Sequence, residues 1–463
     1  MPRTRVSRGN REAEPERKRV DALVKSVTRS CLAMSLLAMQ EFIRPGRVNP
    51  RQETHPTHAR PQTAPENSCF VSTNLVRGAV PRIGELVLQG VVPREILRVS
   101  LTFLLQLADV TKFLVARKRG ELSWQEFENK VHAFYCFAYV DSILNLPNDS
   151  DVPITELSRL VSGLEHYSAL WVTEGLGRRC ADFSWRFGSY PQNLLTDSTD
   201  SDGTHCKTAM LCALHAGMGL SFAENVLGLL NSDSGPAEIS TMLRAFFRLC
   251  QDNSDPAYLG AAYESLGMVC RSLYPNLINE IDHQLTDPET SSYFWHGVGR
   301  AIYFAPTRFL PIARGFADSV EMSQTEPFHA TGRANALAGL AFALTLVNIK
   351  HPEVVDDIVC RYGRKVVAQD GFSNGVGSAA AIWYEFTGCA SAPPLCSFDP
   401  HSPNPVVSAL WDRYVRQPCQ YAIDRYYPAL KRANRLGELF HYATLEERVE
   451  QLQEMPSAAE RVR

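Results

Sequence analysis

Trp295-His-Gly-Val-Gly-Arg-Ala-Ile-Tyr-Phe304 places two glycines inside a run of helix-forming and aromatic residues. Glycine in a helix interior costs about 1 kcal/mol against alanine, so a pair of them needs a local reason. The same small-residue pattern recurs as Glu174-Gly-Leu-Gly177, Ala216-Gly-Met-Gly219, Glu264-Ser-Leu-Gly267, His296-Gly-Val-Gly299, His329-Ala-Thr-Gly332 and Asn374-Gly-Val-Gly377. The closing glycines stand 42, 48, 32, 33 and 45 residues apart, a spacing that fits one helical hairpin per unit. The reading is an all-α chain whose residues 161–390 form tandem helical-hairpin repeats, an α-solenoid-like or α/α array. Each closing glycine marks a place where a neighbouring helix crosses and only hydrogen fits.

Outward from that core, residues 69–160 read as an N-terminal helical region and 391–463 as C-terminal helices. Ser123 and Glu126 form a capping box, with its helix running through Phe134, Phe137 and Val140 to Leu144. Pro256, Pro288 and Pro352, each ahead of an apolar periodic run, mark first helical positions. Thr444 and Glu447 make a second capping box. Residues 1–68 differ in kind, being rich in Arg and punctuated by Pro45, Pro50, Pro56, Pro61 and Pro65. They read as a disordered basic, Pro-rich tail.

Composition excludes more than it identifies. Forty-seven basic side chains against 50 acidic ones leave a net charge of −3, so no field draws the chain to nucleic acid. The 12 cysteines are scattered without metal-ligand or CxxC spacing, as expected of buried thiols in a reducing, cytoplasmic setting. The apolar runs Leu101–Val115 and Ala334–Ile349 are interrupted by polar residues and fall short of about 20 apolar residues, so no stable membrane span is expected. Cys31–Met39 after its basic flank has a signal-like layout but lacks a small-x-small cleavage site. Neither Asp356-Asp357 nor the acidic run 197–202 has a metal-site pattern, and no cofactor motif occurs.

The residue three before each closing glycine and the one just after it carry what chemistry there is. Three units pair an ionisable group with arginine at i,i+4: Glu174 with Arg178, His296 with Arg300, and His329 with Arg333. Stacked in register, these side chains and Glu264 would line a polar groove. His296, His329 and Glu264 are the candidates for acid-base chemistry, and Glu174, Arg178, His215, Arg300 and Arg333 for ligand binding. The alternative is a set of surface pairs and satisfied histidines. Replacing both His296 and His329 by alanine is expected to leave folding intact. Tyr293, Phe294 and Trp295 read as core.

At Leu214-His-Ala-Gly-Met-Gly-Leu-Ser-Phe-Ala223 and Trp295-His-Gly-Val-Gly-Arg-Ala-Ile-Tyr-Phe304 the chain resembles a bacterial family of unknown function found in enediyne polyketide gene clusters. That family carries H-x-G-h-G and Q-G-h-G-R-x-h-x-F stretches, and the similarity runs over roughly residues 160 to 390. The resemblance implies an accessory role in natural-product biosynthesis and brings no catalytic residues with it. Two functions follow as expectations: a helical scaffold binding a hydrophobic intermediate or a biosynthetic partner protein, or an enzyme of the same pathway with a His/Glu/Arg-lined cleft.

Overall fold

The computed structural model describes residues 120–146, 154–186, 190–196, 208–230, 234–305, 315–364, 369–400 and 404–454. All of them belong to one compact unit, Val110–Arg463. The expected tail 1–68, the runs Cys31–Met39 and Leu101–Val115 and the acidic stretch 197–202 lie outside the described residues. Among those described the protein is helical, with a single isolated β-bridge, Leu195 to Ser254.

In chain order the helices are α1 (Gly120–Ala138), α2 (Val140–Ile143), α3 (Ile154–Val161), α4 (His166–Arg186), α5 (Leu211–Leu227), α6 (Pro236–Asn253), α7 (Leu259–Leu273), α8 (Ile278–Gln284), α9 (Pro288–Phe304), α10 (Gly315–Thr325), α11 (Ala330–Val347), α12 (Pro352–Tyr362) and α13 (Asp370–Phe386). A helical stretch over 405–433 follows, in which α14 (Pro405–Trp411), α15 (Gln417–Tyr421) and α16 (Tyr427–Ala433) are joined by π-helical turns; α17 (Leu445–Glu454) is last. The π turns, Asp412–Arg416 and Ala422–Tyr426, sit just before Pro418 and Pro428. Proline has no N–H to give the preceding turn, and a widened turn absorbs the missing bond.

Helices α4, α5, α7, α9, α11 and α13 pack one against the next, and their small residues show how. Two residues apart on an α-helix is about 200°, so the members of a G-x-G pair face opposite neighbours. Gly217 presses on α4, where an added Cβ would lie 1.7 Å from the Glu174 carbonyl oxygen, while Gly219 presses on Ala262 of α7. Gly297 meets the Glu264 carbonyl behind it and Gly299 the Ala336 carbonyl ahead. Each of the first four interfaces has a small residue from both sides: Gly177 and Gly217, Gly219 and Ser265, Gly267 and Gly297, Gly299 and Gly339. Ser265 replaces the first glycine of α7 and turns its hydroxyl onto the Ala216 carbonyl oxygen at 2.8 Å.

Two of the six expected positions differ. Gly332 lies in the first turn of α11 against Pro327, His329 and Trp295 side chains, with no helix crossing there; the close crossing on α11 is made by Gly339, on the His296 carbonyl. Gly377 touches α15 less tightly, with the Pro418 carbonyl 3.1 Å from its would-be Cβ.

Helices α7, α9, α11 and α13 run in one direction, since Gly260 lies by Tyr293, Gly332 by Trp295 and Gly371 by Ala334, all near helix starts. The start of α4 meets the far ends of α9 and α11: Tyr167 donates to the Val347 carbonyl at the end of α11, and Trp171 meets Phe304 at the end of α9. Helix α1 is fixed at the same end, where Asn129 donates to Asn348, Asn348 donates to the Tyr303 hydroxyl, and the buried Lys130 ammonium sits 3.9 Å from the Tyr303 ring centre. Helix α11 alone among the described helices is long and apolar enough to cross a membrane, yet 78% of that stretch is buried inside the structure. Tyr293, Phe294 and Trp295 are core, as their sequence suggests.

Candidate functional site

Four of the eight candidate residues converge. Arg300 on α9 donates from Nη1 to Glu264 Oε2 at 2.9 Å and from Nη2 to Glu174 Oε1 at 3.0 Å. His296, one turn earlier on α9, places Nδ1 2.9 Å from the other oxygen of Glu264. Glu174 comes from α4 and Glu264 from α7, so one arginine ties three helices. The geometry follows from the small-residue ladder: Glu174, Glu264 and His296 each stand immediately before the small residue that faces the preceding helix, which turns all three toward the same interior.

The cluster is enclosed. His296 and Glu264 have no solvent exposure, and Arg300 retains 2%. The Phe342 ring lies 5.4 Å from the His296 ring and 5.5 Å from the Arg300 guanidinium, and Phe440 stands 6.5 Å from His296. Phe440 ends a 3₁₀ turn, Leu436–Phe440, and the segment 437–443 meets the starts of α7, α9, α11 and α13. Gly437 packs on Gly260, Tyr442 N–H donates to Asn335 Oδ1, and Asn374 donates to the Ala443 carbonyl. A bidentate pair from Arg448 to Glu438 pins that turn from outside.

Electrostatics reflect the burial. Desolvation pushes the Glu174 carboxyl above its ordinary range against the pull of Arg300. It pushes the His296 imidazole down against the pull of Glu264. Burial also opposes the charge on Arg300, but its two carboxylates outweigh that and hold the guanidinium ionised. Two buried nitrogens, His296 Nε2 and Arg300 Nε, have no hydrogen-bond partner.

The other four candidates are placed elsewhere, so the single groove expected along the repeats does not form. Arg178 turns away from Glu174 to Glu224 at 2.8 Å and to Asp182. His215 donates from Nδ1 to the Leu211 carbonyl and accepts the Asp255 N–H at Nε2, which spends both ring nitrogens on joining α5 to the start of α7. Burial brings its pKa down to about 4. His329 is the N-cap of α11, accepting from Gly332 N–H at 3.0 Å, with Nε2 3.4 Å from Asp282 and 41% of the side chain exposed. Arg333 reaches the carbonyls of Pro327 and Phe328, not His329. Asp282 was not foreseen; it takes the Trp295 indole N–H at 2.7 Å as well as the His329 contact. No local sequence pattern marks it, because its partners come from α9 and from just ahead of α11.

Among the described residues no group of His, Cys, Asp and Glu is placed to hold a metal. Asp357 instead pairs with Arg361. No family model matches the chain, and no curated protein or solved structure matches it.

Proposed function

We propose that the protein is a helical scaffold built of tandem hairpin repeats, serving polyketide-type natural-product biosynthesis in the cytoplasm by holding a hydrophobic intermediate or a partner protein. The repeat reading is supported by the small-residue pairs at matching positions on consecutive helices. The biosynthetic role rests on the likeness of residues 214–223 and 295–304 to the enediyne-cluster family. The free thiols of the described cysteines favour a reducing compartment. A scaffold is favoured over an acid-base enzyme by one observation: His296, Glu264 and Arg300 are spent on each other in the interior. A general base must come within hydrogen-bond reach of the proton it removes.

One feature favours the enzyme reading. The Glu264–His296 pair leaves Nε2 without a partner, as a carboxylate-oriented base would. Diethylpyrocarbonate, which modifies accessible imidazoles, separates the two. In the folded protein we expect modification at the exposed His329 and none at His296, mapped by peptide mass spectrometry. Modification of both at comparable rates would overturn the scaffold reading. Binding itself is tested by titration with a linear polyene acid and with an acyl carrier protein; saturable binding of either is expected, and saturation by neither removes the binding role.

A further inference from the structure

Charge counting in the enclosed cluster leads to a proton that the residue types alone do not announce. Two carboxyls, Glu174 and Glu264, share one guanidinium. Among the described residues no other cation is paired with either carboxyl: Lys130 of α1, the helix packed on α4, pairs with Glu126, and Arg271 of α7 pairs with Glu326. Helix α4 turns its Arg178 to Glu224 and Asp182. Helix α5 carries no basic side chain apart from His215, which is held neutral by its two backbone bonds. Helix α11 presents Phe342, and its single charged residue, Arg333, lies at its exposed start. Helix α13 contributes Asn374 near the starts of its neighbours, its Glu385 being tied to Lys431. The segment 437–443 brings Phe440, His441, whose Nδ1 meets the Tyr442 carbonyl, and Glu438, which is bound to Arg435 and Arg448. With both carboxyls ionised and His296 neutral, the interior would carry an uncompensated negative charge, which is strongly disfavoured.

One added proton restores neutrality, and geometry says where it goes. On His296 it would make Nε2 an N–H donor of a charged ring, fully enclosed and without an acceptor. Glu264 has both oxygens occupied, one by Arg300 and the other by His296, which leaves none free to carry a proton. Glu174 has only the Arg300 contact among its side-chain partners, and with 8% of its side chain exposed an acid O–H there is not sealed from water as an N–H at His296 Nε2 would be. We propose that Glu174 is a neutral carboxylic acid in the folded protein, so that the Glu174–Arg300–Glu264–His296 cluster is a proton-dependent lock holding α4 to α7 and α9. Burial acting on Glu174 in the upward direction agrees with this assignment.

The sign follows. An acid that keeps its proton in the folded state but loses it at about pH 4.3 when unfolded stabilises fully below that value. Its contribution is lost as pH rises through the folded-state value. The lock therefore loosens toward alkaline pH. The test is urea unfolding of the full chain across a pH series, for wild type, Glu174→Gln and Glu264→Gln. Glutamine has the shape of the neutral acid, so Glu174→Gln is expected to match wild type near about pH 4, below the unfolded value, and to flatten the decline above it. Each pH unit between the unfolded and folded values is worth about a tenfold gain in its folded-to-unfolded ratio over wild type above both. Glu264→Gln is expected to lose stability at every pH. An unchanged alkaline limb in Glu174→Gln, a failure of that variant to fold, or equal losses in both variants would each overturn the proposal.

Discussion

Arg300 reaches Glu174 across 126 residues of sequence while also gripping Glu264. Removing it leaves two enclosed carboxyls facing each other, and breaking a buried pair from one side costs about 3–5 kcal/mol. Arg300→Leu is therefore expected to lower the unfolding free energy by that order at neutral pH, measured by urea titration. His329→Ala removes an exposed helix cap and should cost about 0.5–2 kcal/mol. The two histidines are thus not equivalent. His296 packs on Phe342 and Phe440 and bonds to Glu264, so replacing both histidines would not leave the fold untouched, contrary to the sequence expectation. Glu264, His296 and Arg300 were legible because they sit at fixed offsets from a helix-packing glycine. The partner of Glu174 was not: an i,i+4 rule offers Arg178, and only the convergence of α4, α7 and α9 supplies Arg300 instead.

Among the elements, the glycine pairs carried the most information. Their two-residue spacing sets opposite faces of one helix against two neighbours, and that much follows from helical geometry. The register of α11 was misread because His329-Ala-Thr-Gly332 mimics the pattern at a helix start, whereas the crossing uses Gly339 inside the apolar run. The Ser123–Glu126 capping box also misled: α1 begins at Gly120, so Ser123 lies within the helix. That helix ends at Ala138, and the short α2 continues over Val140–Ile143 after a break at Tyr139. Pro256, Pro288 and Pro352 open helical turns as their positions suggest, and Asp255 and Asp287, just before the first two, cap them. Asp287→Ala should cost about 1 kcal/mol through loss of its bond to the Thr290 N–H, read as a lowered thermal midpoint with no change in helix content.

From α4 through α5, α7, α9 and α11 the helices touch backbone to backbone, and Gly177, Gly217, Gly219, Gly267, Gly297, Gly299 and Gly339 each set a neighbour's carbonyl where a Cβ would otherwise stand. Such contacts tolerate no added atom, because cores lose about 1–3 kcal/mol for an inserted methyl that cannot be accommodated, and more when the obstacle is backbone. The cluster ties α4 to α7 and α9, and the turn at Leu436–Phe440 covers it. The helices should then unfold together in one transition. Denaturant unfolding of Gly267→Ala beside Gly163→Ala is the most direct test. A Cβ at Gly267 would lie 1.8 Å from the Phe294 carbonyl oxygen, whereas at Gly163 the nearest atom is 3.5 Å away. Gly267→Ala is expected to lose about 2 kcal/mol or more with the transition still single, and Gly163→Ala to stay within about 0.5 kcal/mol of wild type. Equal stability of the two variants would contradict the close backbone packing on which the fold and the cluster both depend.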